Sequence, residues 1–472
     1  MEKKQKIHRH PGIKFPVNPI LLKDGVIQMM EMIRGLLDEK KLTLLREHLT
    51  EMNPVDIAML LNEFEGTDLV VLFRVLPKDL AAEVFAYMEA EDQIHIVEVI
   101  QDTEVKEILE QLFLDDVVDF IEEMPAGVVR KILRNTSAQR RTQINHFLKY
   151  EEDSAGSLMT IEFADAKEEM TLRQAVSHLR RVGMKKETID TIFVIDASRH
   201  LKGIVSLRDL ILHPEEIRIA DIMESSFICV QTFEDQEQVA QKFKDYDLLN
   251  MPVVDNENRL VGIITIDDIM DIIDEENTED FHKMAAMEPN AEAYLKTPIV
   301  TLARKRFTWL LVLMLSATIT GRIIEGYEEV LTQVAILASF IPMLMDTGGN
   351  SGSQSSAMII RELALGEIGT KDYLKVILKE LSISSLTGIS LVAVNFIRML
   401  LLTNATFGIL ITVSITLFIT IVIANITGGI LPLIAKKLKL DPAVMAGPLI
   451  TTVVDAFALV IYFMAATWIL GI

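Results

Sequence analysis

Hydrophobic positions follow different periods in successive parts of the chain, and the first part has the period of helices. Between residues 20 and 150 apolar residues recur every three or four positions, as at Val70, Phe73 and Leu76, which is typical of amphipathic helices. Proline is excluded from helix interiors, so it marks the corners between them. These corners are Asn53-Pro54, Leu76-Pro77 and Met124-Pro125. The pattern predicts a helical N-domain over 20–150, built as a small α-superhelix.

Residues 154–274 contain an internal repeat. The stretch 190–211 aligns without a gap onto 249–270, an offset of 59 residues, so that Gly203 falls on Gly262 and Asp209 on Asp268. Each copy has the pattern of strand, turn, strand and helix, preceded by a further helical segment. The sequence therefore predicts two copies of one α/β module in tandem.

The segment that follows the repeat is strongly acidic. Apolar residues are interspersed at helical spacing, which predicts an amphipathic linker helix over 275–303. Carboxylates this dense repel each other unless cations lie between them. Between residues 271 and 292 one basic residue, Lys283, stands among Asp271, Asp274, Glu275, Glu276, Glu279, Asp280, Glu288 and Glu292.

From residue 304 to 472 the pattern becomes that of a membrane domain. Runs with few or no charges lie at about 307–321, 330–345, 381–397, 407–435 and 442–470, which predicts five membrane-spanning helices. The second span ends in the glycine- and hydroxyl-rich segment 342–356, which indicates either close helix packing or the lining of a cavity.

Charge distribution predicts the orientation of these spans. With residue 303 inside, ten Lys and Arg residues fall on the inner side and two on the outer side. The positive-inside rule then places the N-terminus in the cytoplasm and the C-terminus outside. The first thirty residues contain no apolar stretch of signal-peptide length, which also indicates that the N-terminus is not exported.

Composition supports a division of the chain into a part that lies in water and a part that lies in the membrane. Half of the 472 residues are hydrophobic and the mean hydropathy is +0.30, too apolar for a wholly soluble protein of this charge. Residues 1–303 carry 34 Lys and Arg against 58 Asp and Glu, whereas 304–472 carry 12 against 10. An acidic soluble part repels nucleic acid and suits cations. A single cysteine, Cys229, excludes a disulfide framework and a Cys-based zinc site.

Asp455 is the membrane residue that departs most clearly from plain hydrophobicity. It lies in the middle of the last predicted span, where a carboxylate costs at least ~2.5–3.5 kcal/mol and generally faces a water-filled path or a partner. We identify no basic residue at comparable depth, which favours a cation or proton site over a buried ion pair. Toward the cytosol, Pro448 is expected to free carbonyl oxygens near Thr451. Asp441 would stand at the inner mouth, or act as an ordinary helix N-cap.

The membrane part contains neither His nor Cys. It therefore offers oxygen ligands, the coordination that Mg²⁺ and Ca²⁺ prefer. One carboxylate per chain with hydroxyl and carbonyl neighbours suits an ion that keeps its waters. This favours Mg²⁺, which dehydrates reluctantly.

The repeat resembles a tandem pair of CBS domains, and nearly the whole chain resembles the MgtE family of magnesium channels. The resemblance lies in the order of the parts and in two membrane motifs, TGGNSGSQS at 347–355 and DPAVMAGPLITTVVD at 441–455. It implies a multidomain membrane protein that is not an enzyme. Its parts would be an α-superhelical N-domain (20–150), an α/β tandem CBS domain pair (154–274), a linker or plug helix (275–303) and an all-α membrane domain of five transmembrane helices (304–472).

The resemblance also implies a homodimer in the plasma membrane, with a pore between the subunits lined by the second and fifth spans. Asp455 matches the family's pore carboxylate, with backbone oxygens near Gly447 and Thr451 beside it. Gly447 stands where some members carry a polar side chain, so a side-chain contact is not expected there. Asp346 is an additional carboxylate to which the resemblance assigns no role.

Regulation by magnesium is implied as well, with Mg²⁺ bound between the cytosolic domains and the plug holding the channel shut. The implied ligands are Asp268, Asp271, Glu276, Glu279 and Asp280 near the plug, Asp441 at the mouth, Asp235, Glu237 and Asp247 in the second CBS repeat, and Asp115 and Asp119 in the N-domain. Family members can also bind ATP, and Ser206, Arg208 and Asp209 match a ribose and phosphate contact. The same Ser-x-x-Asp sequence is also a plain helix cap.

Three functions remain compatible with the sequence. The leading one is a Mg²⁺-selective channel driven by the membrane potential, which at ~100 mV favours entry of a divalent ion by about 4.6 kcal/mol. The sequence has no P-loop, so ATP-driven pumping lacks its machinery. A proton- or sodium-coupled exchanger is the first alternative, because an intramembrane carboxylate also titrates. A membrane-anchored nucleotide sensor would explain the CBS pair but not Asp455.

Overall fold

The computed structural model describes residues 19–122, 124–290, 294–295, 297–445 and 447–471. Residues 1–18, on which much of the prediction about export rests, and Glu292 of the acidic segment lie outside the described residues. The chain divides between Ile269 and Met270 into two compact units, called here the first and the second unit.

Short helices form the N-terminal part of the first unit, as the apolar spacing predicts. Alternate helices pack against each other, α3 on α5, α5 on α7 and α7 on α9, which gives the expected superhelix. Phe85 lies at its centre, edge-to-face with Phe73 and Phe120 at centroid distances of 6.1 and 5.1 Å. The helices are α1 (Pro19–Asp38), α2 (Leu42–Thr50), α3 (Pro54–Leu61), α4 (Gly66–Val75), α5 (Lys78–Ala86), α6 (Ala90–Val99), α7 (Asp102–Gln111), α8 (Leu114–Glu122), α9 (Ala126–Asn135) and α10 (Ala138–Phe147).

The rest of the first unit contains two three-stranded sheets with the same topology. In each, a parallel pair is extended by an antiparallel hairpin, in the orders β1-β2-β3 and β4-β5-β6. The elements are α11 (Ala155–Leu158), β1 (Asp165–Lys167), α12 (Leu172–Val182), a 3₁₀ helix (Gly183–Lys185), β2 (Thr191–Ile195), β3 (Leu201–Ser206), α13 (Leu207–Leu212), α14 (Ile219–Ile222), β4 (Val230–Gln231), α15 (Gln236–Tyr246), β5 (Asn250–Val254) and β6 (Leu260–Thr265).

The register of the two hairpins confirms the repeat. Val194 lies opposite Gly203 in the first sheet, and Val253 lies opposite Gly262 in the second, which preserves the offset of 59 residues. A Cβ on Gly203 would lie 2.8 Å from the Glu224 carbonyl oxygen, and one on Gly262 would lie 2.7 Å from that of Thr160. Each glycine is therefore required by a neighbouring backbone that passes close to the strand.

The second unit consists of long helices. Helix α19 packs on α21 and α22, α20 packs on α21, and α17 packs on α22. Helix α16 (Ile266–Met284) begins in the first unit and ends in the second. It is followed by α17 (Ile299–Gly326), α18 (Glu328–Gln333), α19 (Ile341–Ala364), α20 (Tyr373–Leu402), α21 (Phe407–Lys437) and α22 (Gly447–Leu470), with 3₁₀ helices at Ala335–Phe340, Thr370–Asp372 and Pro442–Met445.

Within the described residues, four helical stretches are long and apolar enough to cross a membrane: Ile299–Gly326, Thr370–Leu402, Phe407–Lys437 and Pro442–Leu470. Helix α19 does not meet this criterion of apolarity, although its 24 residues have the length of a span. It is the helix that carries the glycine- and hydroxyl-rich motif, and it packs between α21 and α22. The helical, apolar C-terminal domain is thus confirmed.

Two predicted boundaries were wrong. The apolar run 330–345 is not one helix, because α18 ends at Gln333, a 3₁₀ helix follows, and α19 begins at Ile341. Proline fits the first turn of a helix, so Pro342 and the glycine-rich segment start this span instead of ending it. The acidic helix covers Ile266–Met284 instead of 275–303. It continues directly from strand β6 and ends before Ala286, whose φ of +52° is left-handed.

Candidate metal-binding sites

Glycines of α19 bring it into close contact with α22. A Cβ on Gly349 would lie 2.7 Å from a side-chain atom of Thr451, and one on Gly352 would lie 2.8 Å from Ile450. At Gly348 the obstacle would be Thr420 at 2.6 Å. Since a methyl group has no room at these positions, the glycines of the motif serve helix packing.

Asp455 lies near the middle of α22 and is partly buried. Its Oδ1 is buried, and it has no hydrogen-bond partner among the residues that the structure describes. Asp346 of α19 acts on it electrostatically and accepts a hydrogen bond from Asn350 at 3.1 Å. An unpaired carboxylate oxygen at this depth, with a second carboxylate nearby, is an arrangement that favours a bound cation.

The backbone around Gly447 differs from the expectation. Helix α22 begins at Gly447, so Pro448 lies in the first turn, where a missing N–H breaks no helical hydrogen bond. The Gly447 carbonyl oxygen accepts hydrogen bonds from the Thr451 hydroxyl at 3.0 Å and from the Ser353 hydroxyl at 3.5 Å. The prediction that Pro448 frees carbonyls near Thr451 was therefore wrong.

Asp441 is an N-cap and also half of an ion pair. Its Oδ1 accepts a hydrogen bond from the Ala443 N–H at 2.8 Å, which caps the 3₁₀ helix Pro442–Met445. Its Oδ2 lies 2.6 Å from Nζ of Lys283, which also contacts Glu279 at 2.5 Å. Burial opposes the charge on Lys283, but hydrogen bonds to Asp441 and Glu279 raise its pKa above the ordinary value. Burial and then the charge of Asp441 raise the pKa of Asp280.

The C-terminal end of α16 lies against the N-terminal end of α22. Met284 packs with Ile360 and Ala443. Its carbonyl oxygen is 3.2 Å from the point where a Cβ on Gly447 would lie. The last turn of the acidic helix thus contacts the residues that precede and begin the helix carrying Asp455.

Carboxylates of the first unit crowd around Asp115, which is 8% exposed. Its Oδ1 is buried without a hydrogen-bond partner among the described residues. Burial raises the Asp115 pKa well above its ordinary value, and the charges of Asp116, Asp268 and Glu187 add to this. Burial likewise raises the pKa of Asp268 to about 6, although the Thr265 hydroxyl opposes the shift.

Glu187 belongs to the same cluster and was missed from the sequence. Its Oε2 is buried without a hydrogen-bond partner among the described residues, and burial together with Asp116, Asp267 and Asp268 raises its pKa to about 8. Arg140 is a basic residue that faces the cluster. We call Asp115, Asp116, Glu187 and Asp268 the crowded cluster.

Other predicted ligands are not brought together within one chain. Asp235 caps the start of α15, where its Oδ1 accepts from the Glu237 N–H at 3.0 Å, whereas Asp247 ends the same helix with a φ of +51°. Eleven helical residues separate these ends by about 16 Å. On α8, Asp115 is buried but Asp119, one turn later, is exposed. Asp271 is exposed and Glu276 partly buried on α16.

Among the described residues, no group of three or more His, Cys, Asp or Glu side chains has the geometry of a preformed metal site. The nucleotide candidates form the helix cap that the sequence allowed. The Ser206 hydroxyl donates to Asp209 Oδ2 at 2.6 Å and accepts from the Asp209 N–H at 3.1 Å, while Arg208 is exposed. Thr265 and Asp268 form the same hydroxyl–carboxylate bond in the second repeat.

Comparison with known proteins assigns a family to each part of the chain. A family model described as a divalent cation transporter, MgtE, matches residues 341–465. The MgtE intracellular N domain matches 52–153, and the CBS domain matches 155–216 and 219–275.

Relatives match over nearly the whole length. The magnesium transporter MgtE of Thermus thermophilus is 37% identical, over 93% of this chain and 98% of its own. That of Bacillus subtilis is 33% identical, over 92% and 95%. A crystal structure described as the soluble part of a magnesium transporter is 30% identical, with a TM-score of 0.51, over 53% of this chain and 99% of its own. These relatives are named as transporters and not as enzymes, and the chain belongs to the MgtE family of magnesium transporters.

Proposed function

We propose that the chain forms a homodimeric, Mg²⁺-selective channel of the plasma membrane, in which the ion passes Asp455. The observation that carries this proposal is the buried, unpaired Oδ1 of Asp455 in the middle of α22. A carboxylate at membrane depth is costly unless a cation or water faces it. Nearby protein oxygens come from the Asp346 carboxylate, from hydroxyls and from the backbone, which suits an ion that keeps its own waters.

A dimer follows from the small number of ligands. One chain supplies Asp455, with the Gly447 and Thr451 oxygens nearer the inner end of α22. Two copies related by a twofold axis would present two Asp455 carboxylates to one hydrated ion. The proposed orientation keeps the N-terminus in the cytoplasm and the C-terminus outside, because most Lys and Arg residues of the membrane part then lie inside.

We further propose that α16 closes the channel when cytosolic Mg²⁺ is high. Two contacts support this role: Lys283 pairs with Asp441, and Met284 lies against the start of α22. Asp280 and Asp441 repel each other, so a divalent cation near them would stabilise the closed position. The proposed ligands in the second unit are Asp271, Glu276, Glu279, Asp280 and Asp441.

The first unit would also respond to cytosolic Mg²⁺, by binding it at the crowded cluster. A cation at Asp115 and Asp268 would relieve the repulsion that raises their pKa values. Asp119, Asp235, Glu237 and Asp247 are proposed as further ligands; Asp235 and Glu237 lie too far from Asp247 to share an ion with it within one chain. ATP at Ser206, Arg208 and Asp209 remains a prediction, and binding of labelled ATP to wild-type protein and to Arg208→Ala would test it.

Flux in proteoliposomes tests the transport mechanism. Vesicles that contain the full chain and a Mg²⁺ indicator are given a potassium diffusion potential, negative inside. We expect Mg²⁺ influx to rise with the potential and a trapped pH indicator to show no proton movement. Influx that is independent of the potential and coupled to proton or sodium efflux would contradict a channel and support the exchanger.

A further inference from the structure

A cavity lined by both polar and apolar side chains lies in the second unit, on the side of α19 that faces α20 and α21. Its volume is about 880 Å³, and its walls come from α19, α20, α21 and the connection between α19 and α20. The lining includes Ser351, Gln354 and Ser355 of α19, Glu380 of α20 and Asn425 of α21. The glycines of α19 pack against α22 and, at Gly348 and Gly352, also against α21.

Glu380 is a further buried carboxylate of the second unit, on helix α20. It is 7% exposed, although it lines the cavity, and it lies two turns inside α20. Within the part of the chain that the structure describes, it forms no hydrogen bond or ion pair. Lys375, one of the lysines at the cavity rim, is paired with Asp372 at 2.8 Å. Glu380 immediately precedes the uncharged run 381–397, so the apolar pattern of the sequence does not single it out.

The neighbours of Glu380 are arranged around it. Its Cγ lies 3.1 Å from the point where a Cβ on Gly429 would lie, and the Ser355 hydroxyl lies 3.4 Å from the same point. The absence of a side chain at Gly429 therefore makes room for the glutamate. Asn425 is held in place from α19, because it accepts hydrogen bonds from the hydroxyls of Ser351 at 2.6 Å and Ser355 at 2.9 Å.

We propose that Glu380 anchors a second cation site, which takes a hydrated divalent cation such as Mg²⁺. This inference rests on the proposed function for the identity of the ion. Glu380 is more than nine-tenths buried and has no protein partner among the described residues, so a cation in the cavity that it lines would neutralise its carboxylate. The residues that line the cavity belong to α19, α20, α21 and their connection and not to α22, which carries Asp455, although Asp346 among them also acts on Asp455.

Charge and size favour a hydrated divalent ion as the occupant. The cavity lining includes five carboxylates, Asp346, Glu362, Glu367, Asp372 and Glu380, against Lys375 and Lys379, so it attracts cations. A water molecule occupies about 30 Å³ in the liquid, and the cavity of about 880 Å³ holds an ion with its complete first shell. Mg²⁺ is typically held through one or two carboxylates while it keeps several waters.

The cavity extends to the connection between α19 and α20, which is cytosolic in the proposed orientation. The site would therefore exchange with cytosolic Mg²⁺, independently of the path past Asp455. Its occupancy would hold α20 against α19 through water-mediated contacts to the Ser and Asn side chains of the opposite wall.

A thiol placed in the cavity tests the site without requiring transport. In the full chain in nanodiscs, Cys229→Ser removes the native thiol and Gln354→Cys adds one to the cavity wall. We expect Mg²⁺ to slow modification of this thiol by a water-soluble cationic reagent. Glu380→Gln should raise the Mg²⁺ concentration needed for protection by about tenfold or more, the scale on which groups around a bound metal contribute to affinity.

Two further variants distinguish Mg²⁺ binding at Glu380 from a general effect of Mg²⁺ on the modification rate. Glu329→Gln on the exposed start of α18 is the matched control and should leave protection unchanged, whereas Glu380→Asp, which keeps the charge, should retain part of it. If Glu380→Gln does not fold, a shifted protection curve for Glu380→Asp carries the same information. The inference would be overturned if Mg²⁺ protected the thiol equally in the wild type and in Glu380→Gln. It would also be overturned if sodium alone protected the thiol as well as Mg²⁺ does. Protection of the thiol without Mg²⁺ flux would contradict the proposed function but support this site. Mg²⁺ flux without protection would support the proposed function and contradict this site.

Discussion

Carboxylates are buried in both units, but their surroundings differ. In the first unit, Asp115, Asp116, Glu187 and Asp268 lie close enough to raise each other's pKa values. In the second unit, Asp455 and Glu380 stand on separate helices: Asp346 acts on Asp455, and hydroxyls of α19 lie on the wall of the cavity that Glu380 lines. We therefore propose that the crowded cluster is neutralised by protons or cations, whereas Asp455 and Glu380 each hold one hydrated ion.

This difference fits the two proposed roles, a Mg²⁺ sensor in the first unit and a conducting site in the second. A sensor must change state over a narrow range of ion concentration, which is favoured when several like charges are brought together only with a cation present. A conducting site must bind an ion and also release it, so one charge per chain with neutral oxygen neighbours is more suitable. We expect substitutions in the second unit to change flux and those in the first unit to change its dependence on Mg²⁺.

The largest effect is expected from Asp455→Asn. Two carboxylates about 5 Å from a divalent ion in a water-like medium contribute about 3 kcal/mol, which corresponds to roughly 200-fold in ion affinity. Mg²⁺ influx should therefore be abolished or lose its selectivity against monovalent ions, while the dimer stays folded. Asp346→Asn is the comparison, because it removes the neighbouring carboxylate and should retain Mg²⁺ selectivity. Undiminished, selective influx in Asp455→Asn would exclude the proposed conduction site.

The crowded cluster predicts a pH dependence for the metal-free first unit. The pKa values of Asp268 and Glu187 are raised in the folded state to about 6 and about 8. Their stabilising contribution is therefore fully present below about pH 4 and is lost as the pH rises through 6 and 8. After allowance for solvent screening, we expect a loss of about 2 kcal/mol between pH 5 and 8.5.

Urea unfolding of residues 1–275 with a chelator present measures this loss. Mg²⁺ should restore stability at high pH, and Glu187→Gln should flatten the pH profile because its amide does not ionise. A metal-free fragment whose stability is constant or increases from pH 5 to 8.5 would show that the cluster is solvated and uncrowded.

The next largest effect is expected on gating. Substitutions of the proposed ligands should raise the Mg²⁺ concentration that closes the channel by about tenfold. Replacing Asp268, Glu276 and Glu279 together by Asn or Gln removes ligands proposed for the closed state, so the equilibrium shifts toward open by the lost binding energy. Patch recordings or vesicle flux against internal Mg²⁺ measure the shift. Closure at the wild-type Mg²⁺ concentration would assign gating to other residues.

The sequence predicted those parts of the molecule that follow from local patterns. Helical spacing, the 59-residue repeat and the long apolar runs were sufficient for the domain types, and a carboxylate inside an apolar run identified Asp455. Boundaries that depend on context were missed, such as α19, whose glycines, Ser355 and Ser356 are buried by packing on α21 and α22. Glu187 and Glu380 were missed because their burial arises from residues distant in the chain, such as Gly429.

The smallest effect on closure is expected from a substitution of Lys283, a basic residue of α16 that lies among carboxylates. Its ammonium pairs with Asp441 and Glu279, and Asp280 next to them is raised in pKa by burial and by Asp441. Lys283→Gln leaves these carboxylates facing each other without a fixed positive charge. Closure would then depend more strongly on Mg²⁺, so the closed state should become less favourable in its absence and the closing curve steeper.

Lys283 is part of a partly exposed pair, which contributes up to about 1 kcal/mol, so the midpoint should move only several-fold. Lys305→Gln is the matched control, since it removes an ammonium whose contacts are to Pro289 and Asn290 instead of carboxylates. A Lys283→Gln channel with wild-type closure at every Mg²⁺ concentration would mean that the ion pair does not hold α16 in the closed position. The contacts of Met284 would then be the remaining support for that role.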